Sequence, residues 1–312
     1  METPRLSDWM SQLPSELSTV PLWEIAMPGS HDSMSYSLDS SSMLEPNAPG
    51  WVTALHKLFP CLVNFIVKRW TTTQELPIIV QLNAGVRYFD LRIACKPDDV
   101  THTLYFAHVL YTEVTVEETF KDVAQWLRQH PKEVIILACS SFDGLDDDDH
   151  QKFIARLNQL FPKTLCPKTV RTPSLQLCWD QKYQVILSYD NDAASGHQEL
   201  WEKTDYWWTN HGRTSASQVI KYLDDRLQSQ GRDNTFFVAG LNLTENNSFL
   251  MTHLFSTMKS MTLAAFPELL EWVKRQRCGQ GKTCINIIAA DFVGVNQFAQ
   301  LVIEINLKNM IR

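Results

Sequence analysis

The sequence predicts a single α/β domain built as an irregular (β/α) TIM-like barrel, and three observations predict it. Short apolar runs alternate with segments of helical periodicity along the whole chain. No flexible linker or internal repeat divides them, so residues 1–312 read as one domain, with the richest motifs between about 22 and 140. No G-x-G-x-x-G or P-loop follows any apolar run, which leaves a nucleotide-binding sheet without support and favours a barrel.

Composition sets bounds on function. With 312 residues, 44% hydrophobic and 20% charged, the chain can bury a sizeable core. Its net charge of −7 argues against nucleic acid and against purely electrostatic adsorption to an anionic membrane. The first 18 residues are polar, with Pro4, Asp8, Pro14 and Glu16 where a signal peptide would be apolar. No run is long enough to cross a bilayer. The seven cysteines are odd in number, scattered and without a C-x-x-C pair, which reads as free thiols in a reducing cytosol.

Element by element, residues 22–27 read as a short buried strand that Pro28 and Gly29 stop, with Ser30, His31 and Asp32 just past the break. Residues 37–49, rich in Ser, Asn and Pro, read as a loop. Trp51, Leu55, Leu58, Phe59, Leu62, Phe65 and Ile66 follow near helical spacing, and Pro60 splits them into two helices. Core packing is the plain reading. A rim that touches lipid through these rings, with Lys57, Lys68 and Arg69 beside them, is the sharper one.

Residues 85–93 (G-V-R-Y-F-D-L-R-I) read as a strand. Alternation puts Tyr88, Asp90 and Arg92 on one face, and Arg87, Phe89 and Leu91 on the other. Opposite charges on one face of an interior strand must pair or serve a site. A further strand over 104–109 ends on His108. Thr115 and Glu118 form a capping box for a helix with the stripe Val116, Phe120, Val123, Ala124 and Leu127; Pro131 ends it. Residues 133–139 (E-V-I-I-L-A-C) read as a buried strand. The acidic run 146–149 suits a helix N-terminus, and it lacks the oxygen-ligand pattern of a calcium loop. Strands then fall at 184–189, 235–243 and 284–291, and helices at 217–228, 248–259, 267–277 and 298–307.

In a parallel barrel the site lies at the carboxyl ends of the strands. His31–Asp32, Arg92, His108 and Asp291 sit where apolar strand patterns give out. Two imidazoles, two carboxylates and a guanidinium suit phosphodiester cleavage, with a base, an acid, a partner for each and a cation for the phosphate. A metal site on His31, His108 and the aspartates is the rival. Arginine at its centre argues against it, because it would repel a cation and prefers a planar oxyanion.

M-P-G-S-H-D-S, G-V-R-Y-F-D-L-R, A-H-V-L-Y and I-I-A-A-D-F-V resemble the X domain of phosphatidylinositol-specific phospholipase C, and the chain is similar to its X-domain-only group over nearly its full length. The resemblance implies an irregular (β/α) barrel acting on a phosphoinositide at a membrane surface. It implies His31 as the base on the inositol 2-hydroxyl, oriented by Asp291, and His108 as the acid for the departing diacylglycerol, partnered by Asp32. Arg92 would neutralise the phosphate, held by Asp90. Because Asp32 and Arg92 replace the amide and metal ligand of calcium-dependent relatives, no metal or other cofactor is expected.

The chain departs from the bacterial members at Ser140 and at Ser188 and Tyr189, where they carry headgroup-binding cations. The expectation is therefore a calcium-independent phospholipase C, cytoplasmic with transient membrane contact. The alternative is a phosphoinositide-binding protein with weak or no turnover. A glycerophosphodiester phosphodiesterase lacks support, since the H-R-G signature of that family is absent. Trp51 and Phe59, with Trp207 and Trp208, are expected at the barrel mouth.

Overall fold

The computed structural model describes residues 6–97, 99–208, 212–229, 234–253 and 256–308. Its strands are β1 (Met27–Ser30), β2 (Tyr88–Cys95), β3 (Leu104–His108), β4 (Leu110–Thr115), β5 (Ile135–Asp143), β6 (Val185–Tyr189), β7 (Leu200–Trp201), β8 (Asp205–Trp207), β9 (Phe237–Gly240) and β10 (Ile287–Ala290). Eight of them form a curled parallel sheet in the order β7-β6-β5-β2-β1-β10-β9-β8. Among the described residues no strand pairing closes the barrel between β7 and β8, which residues 202–204 join.

Alternation along the strands builds two cores. Met27, Tyr88, Ile136, Ile186, Val238 and Ile287 fill the barrel interior together with Trp9, Met10, Trp23 and Ile25 from the N-terminal segment. Phe89, Leu91, Leu137, Leu187, Ala239 and Ile288 point the other way, onto the surrounding helices. Among these helices, Val116–Gln129 carries the Thr115 capping box. Asp147–Leu160 is capped by Asp146, with Asp149 reciprocating, and Asp149 also takes His102 at 2.8 Å, so the acidic run is spent on helix start and neighbour. Pro60 opens the second of two short helices, Gly50–His56 and Pro60–Thr71, as its spacing predicts.

Four elements differ from their sequence patterns, the simplest being the helix expected over 248–259, which ends at Thr252 before another starts at Met258. The first strand begins at Met27 and runs through Pro28 and Gly29 instead of stopping there; residues 22–24 form a 3-10 turn. Asparagine side chains replace the ladder before Met27: Asn286 Nδ2 donates to the Leu22 and Ile25 carbonyls, and Asn306 Oδ1 accepts from Ala26 N–H. Glycine is needed at 29 for packing, since a Cβ there would lie 3.0 Å from Ala289 Cβ and Ile287 Cγ2. Residues 104–108 are not a barrel strand: β3 runs antiparallel to β2 and pairs with β4 in a hairpin outside the parallel sheet. Pro267 starts no helix; it lies inside Met258–Arg275, whose start is set by the Thr257 capping box. Phe266, Leu269, Leu270, Trp272 and Val273 bury one face of that helix, and this packing outweighs the backbone bond the proline omits.

Candidate active site

Sheet register brings the two halves of the site together. Ser30 on β1 stands opposite Ala290 on β10, so the next residue of each strand leaves the sheet side by side. His31 Nδ1 lies 2.7 Å from Asp291 Oδ1. Gln74, fully buried, ties the two strand ends by donating to the carbonyls of His31 (3.0 Å) and Ala290 (2.9 Å). Asp32 then turns the chain at a φ of 40°, a region that aspartate tolerates better than most residues, and donates its N–H to Asp90 Oδ2 at 3.1 Å.

From that turn the Asp32 carboxylate reaches three cationic or potentially cationic groups. Oδ1 lies 2.5 Å from Arg92 Nε, and Oδ2 lies 3.2 Å from His108 Nδ1 and 3.3 Å from His31 Nε2. Arg92 also approaches His31 Nε2 at 3.2 Å through its second terminal nitrogen. Asp90, expected to hold Arg92, is 3.7 Å from it; Asp32 holds it more closely. Arg92 does not end its strand, because β2 runs on to Cys95 to pair with the hairpin.

That hairpin is what delivers His108. Running antiparallel, β3 brings its last residue back toward the site, and the His31 and His108 ring centroids lie 6.4 Å apart. His108 Nδ1 donates to the Thr71 carbonyl at 2.8 Å, at the end of the Pro60–Thr71 helix. This bond fixes the ring and leaves Nε2 as the nitrogen to meet a ligand.

The field in the site splits the two histidines. Burial alone would lower the His31 pKa, but Asp32 and Asp291 outweigh it and raise it to about 9. Burial lowers that of His108, with Asp32 opposing and Arg92 and His31 reinforcing. Burial would raise the Asp32 carboxyl, yet Arg92, His108 and His31 hold it below the ordinary range. In the resting site the extra proton therefore belongs to His31. The two rings share one carboxylate and titrate as a coupled system.

His31, Asp90 and Arg92 open into a cavity of about 350 Å³ whose walls include Ser140, Ser188, Asp190, Lys203, Tyr206 and Trp208. The Tyr206 ring lies 6.0 Å from that of His31, and its hydroxyl donates to Asn242 at 2.9 Å. Gly240 makes room for it, since a Cβ there would fall 2.6 Å from Tyr206 Cε1.

A family model described as PI-PLC X 1 matches residues 63–300. The chain belongs to the PI-PLC X family. PI-PLC X domain-containing protein 1 of Danio rerio is 47% identical over 301 residues, covering 96% of both chains. The Homo sapiens protein of that description is 41% identical over 302 residues, covering 96% of this chain and 92% of the relative. Among solved structures, the phosphatidylinositol-specific phospholipase C from Listeria monocytogenes matches with a TM-score of 0.67 at 18% identity, covering 98% of this chain and 99% of that one.

In this PI-PLC X chain, the residues singled out from sequence (His31, Asp32, Asp90, Arg92, His108 and Asp291) form one contiguous cluster. Thr71, Gln74 and Tyr206 also build it and carried no sequence signal of that role. The nearest hint was the polar run T-T-T-Q at the end of an apolar helix, of which Thr71, Thr73 and Gln74 are buried. Trp207 is not at the mouth: it is buried and stacks on Phe237 at 4.2 Å, whereas Trp208 lines the cavity and is 39% exposed. Among the described residues, no helix is long and apolar enough to cross a membrane.

Proposed function

We propose that the chain is a calcium-independent phospholipase C that cleaves phosphatidylinositol-type lipids to diacylglycerol and an inositol phosphate. The observation that carries this is the single carboxylate, Asp32, within 3.3 Å of two imidazoles and one guanidinium at the edge of an open cavity. With Nδ1 held by Asp291, His31 Nε2 takes the proton of the inositol 2-hydroxyl as its oxygen attacks phosphorus. His108 Nε2 gives a proton to the departing glycerol oxygen, and Arg92 balances the charge that builds on the phosphate. The product is a cyclic inositol phosphate, which water opens if the same two rings then exchange roles.

Arg92 takes the place a metal would need. His31, Asp32 and Asp90 do bring ligand atoms within 4.8 Å of one another. A guanidinium bound to Asp32 and directed at Asp90 opposes a cation there. The test is diacylglycerol release from phosphatidylinositol vesicles with a chelator present. Turnover should persist in the chelator and fall in His31→Ala and His108→Ala; equal turnover in wild type and both variants would sink this reading.

One feature of the cavity wall favours a second reading, a phosphoinositide-binding protein with little turnover. Ser188 spends its hydroxyl on the Glu202 carbonyl and the Thr204 N–H, and Lys203 is paired to Asp190 at 2.6 Å. Among the described residues, the Lys and Arg side chains of this wall, Lys203 and Arg92, are therefore both already paired with carboxylates. Vesicle binding without product, unaltered in His31→Ala, would select this reading.

Contact with the lipid surface falls to the helix pair Gly50–His56 and Pro60–Thr71, whose last residue touches His108. Leu58 is 70% exposed, and Phe59, Leu62 and Phe65 between 57% and 58%. Trp51 is half-buried against Val52, Val63 and Val67, so the exposed face is carried by its neighbours. Burying one such side chain is worth roughly 1.5–3 kcal/mol. Leu58→Ala with Phe59→Ala should weaken vesicle partitioning by about 10-fold or more while thermal stability holds. Unchanged sedimentation with vesicles would rule this face out.

A further inference from the structure

The hairpin that carries His108 contains a local conflict. Val109, the residue directly after His108, sits at a φ of 66°. A β-branched side chain crowds its own backbone in that region, and such a residue is a genuine outlier that its surroundings must enforce. Val109 is the single residue between His108 and Leu110, which face each other across the hairpin, and one residue in the loop before the exposed helix pair holds that turn from outside. Glu45 Oε2 accepts the Val109 N–H at 2.5 Å, and the Glu45 N–H donates to the Val109 carbonyl at 2.9 Å. The same residue thus holds both polar groups of the strained unit. Leu44 bridges Leu110 and Leu38 bridges Thr112 farther along the same edge, so the loop lies along β4 as an added strand-like segment.

We propose that Glu45 is a positioning residue that sets the His108 ring by clamping Val109 in its left-handed conformation. Without the clamp, Val109 relaxes toward an ordinary negative φ. Its neighbour His108 then rotates away from the Thr71 carbonyl and the Asp32 carboxylate, which lie 2.8 Å and 3.2 Å from its Nδ1. The consequence falls on one step only, protonation of the leaving oxygen. Burial raises the pKa of the Glu45 carboxyl while the Val109 N–H opposes the rise, as expected of a carboxylate committed to the backbone and half removed from water.

This inference rests on the phospholipase C reading and is tested where that reading supplies a baseline. Misplacing a catalytic group by about 1 Å can cost on the order of 100-fold in rate. Glu45→Ala should therefore lower kcat on phosphatidylinositol vesicles by about 10–100-fold, with KM and vesicle affinity little changed. Two further readouts separate positioning from general damage. Adding Val109→Gly to Glu45→Ala should restore much of kcat, because glycine holds a positive φ without help. Replacing the lipid by nitrophenyl inositol phosphate, whose leaving group departs without a proton, should shrink the deficits of both Glu45→Ala and His108→Ala. Glu45→Gln keeps a carbonyl oxygen for the Val109 N–H and should lose less. If wild type turns over, His108→Ala does not and Glu45→Ala matches wild type, the positioning role is wrong while the phospholipase reading stands. A Glu45→Ala deficit that Val109→Gly leaves in place and that is equal on both substrates also overturns it. If wild type itself does no better than His108→Ala, it is the phospholipase reading that has failed.

Discussion

His31→Ala should lower phosphatidylinositol cleavage by roughly 10²–10⁴-fold while the fold survives, and it should also change the shape of the pH profile. The proposed reaction needs a neutral His31 and a protonated His108, the reverse of the resting distribution. Turnover then draws on a minor protonation state, and the profile is still a bell, since both forms carry one proton between the two rings. Its alkaline limb, where that proton is lost, should fall at about 9, the value set for His31 by Asp32 and Asp291. Its acid limb lies below the ordinary histidine value, in the direction in which burial moves His108.

Asp291→Asn gives the sign. It removes a negative charge and changes the 2.7 Å contact at His31 Nδ1, so the alkaline limb should move to lower pH as activity drops. A reaction rate followed from pH 5 to 10 reads this directly. An alkaline limb that stays put in Asp291→Asn would mean that the limb belongs to another group. A wild-type profile flat across that range would remove both histidines from proton transfer.

How much of this was legible depends on how far each residue's partners lie along the chain. Asp90 and Arg92 betray themselves within their own strand, as opposite charges two apart on one face. The Thr115–Glu118 capping box is written in four residues and forms as spaced. His31 with Asp291 could be paired only through a family resemblance, because 260 residues separate them and register alone joins them. Gln74 and the Thr71 carbonyl were out of reach: each contact has a backbone carbonyl as its acceptor, brought close by folding, and backbone groups carry no sequence signature. The misreadings have the same origin. Pro28–Gly29 looks like a break because a proline gives no ladder donor, but Gly29 is there to let three strands approach closely. Residues 104–108 look like another barrel strand because a sequence pattern reports burial and not direction.

A second large effect should appear at the opposite end of the barrel, where Arg87 and Glu133 are both fully buried. Arg87 Nε and a terminal nitrogen donate to Glu133 Oε2 at 2.9 Å and 2.7 Å. Its remaining donors reach the carbonyls of Leu82 and Val86 at 2.8 Å and of Ser7 at 2.8 Å. Glu133 in turn accepts the Met10 and Ser11 N–H groups. The guanidinium lies 5.1 Å from the Trp126 ring centroid and 5.8 Å from that of Trp9. Such a pair adds little over a well-packed apolar substitute, but removing one partner strands the other charge in the core, at about 3–5 kcal/mol. Arg87→Met and Glu133→Leu should each lower the melting temperature by on the order of 10 °C. The double variant should recover part of that loss, because no charge is left unpaired. Recovery should stop short of wild type, since the Met10, Ser11 and Ser7 backbone groups that dock the N-terminal segment keep no partner. A double variant no better than the sum of the singles would mean that the pair holds the barrel floor by shape and hydrogen bonding, with its charges incidental.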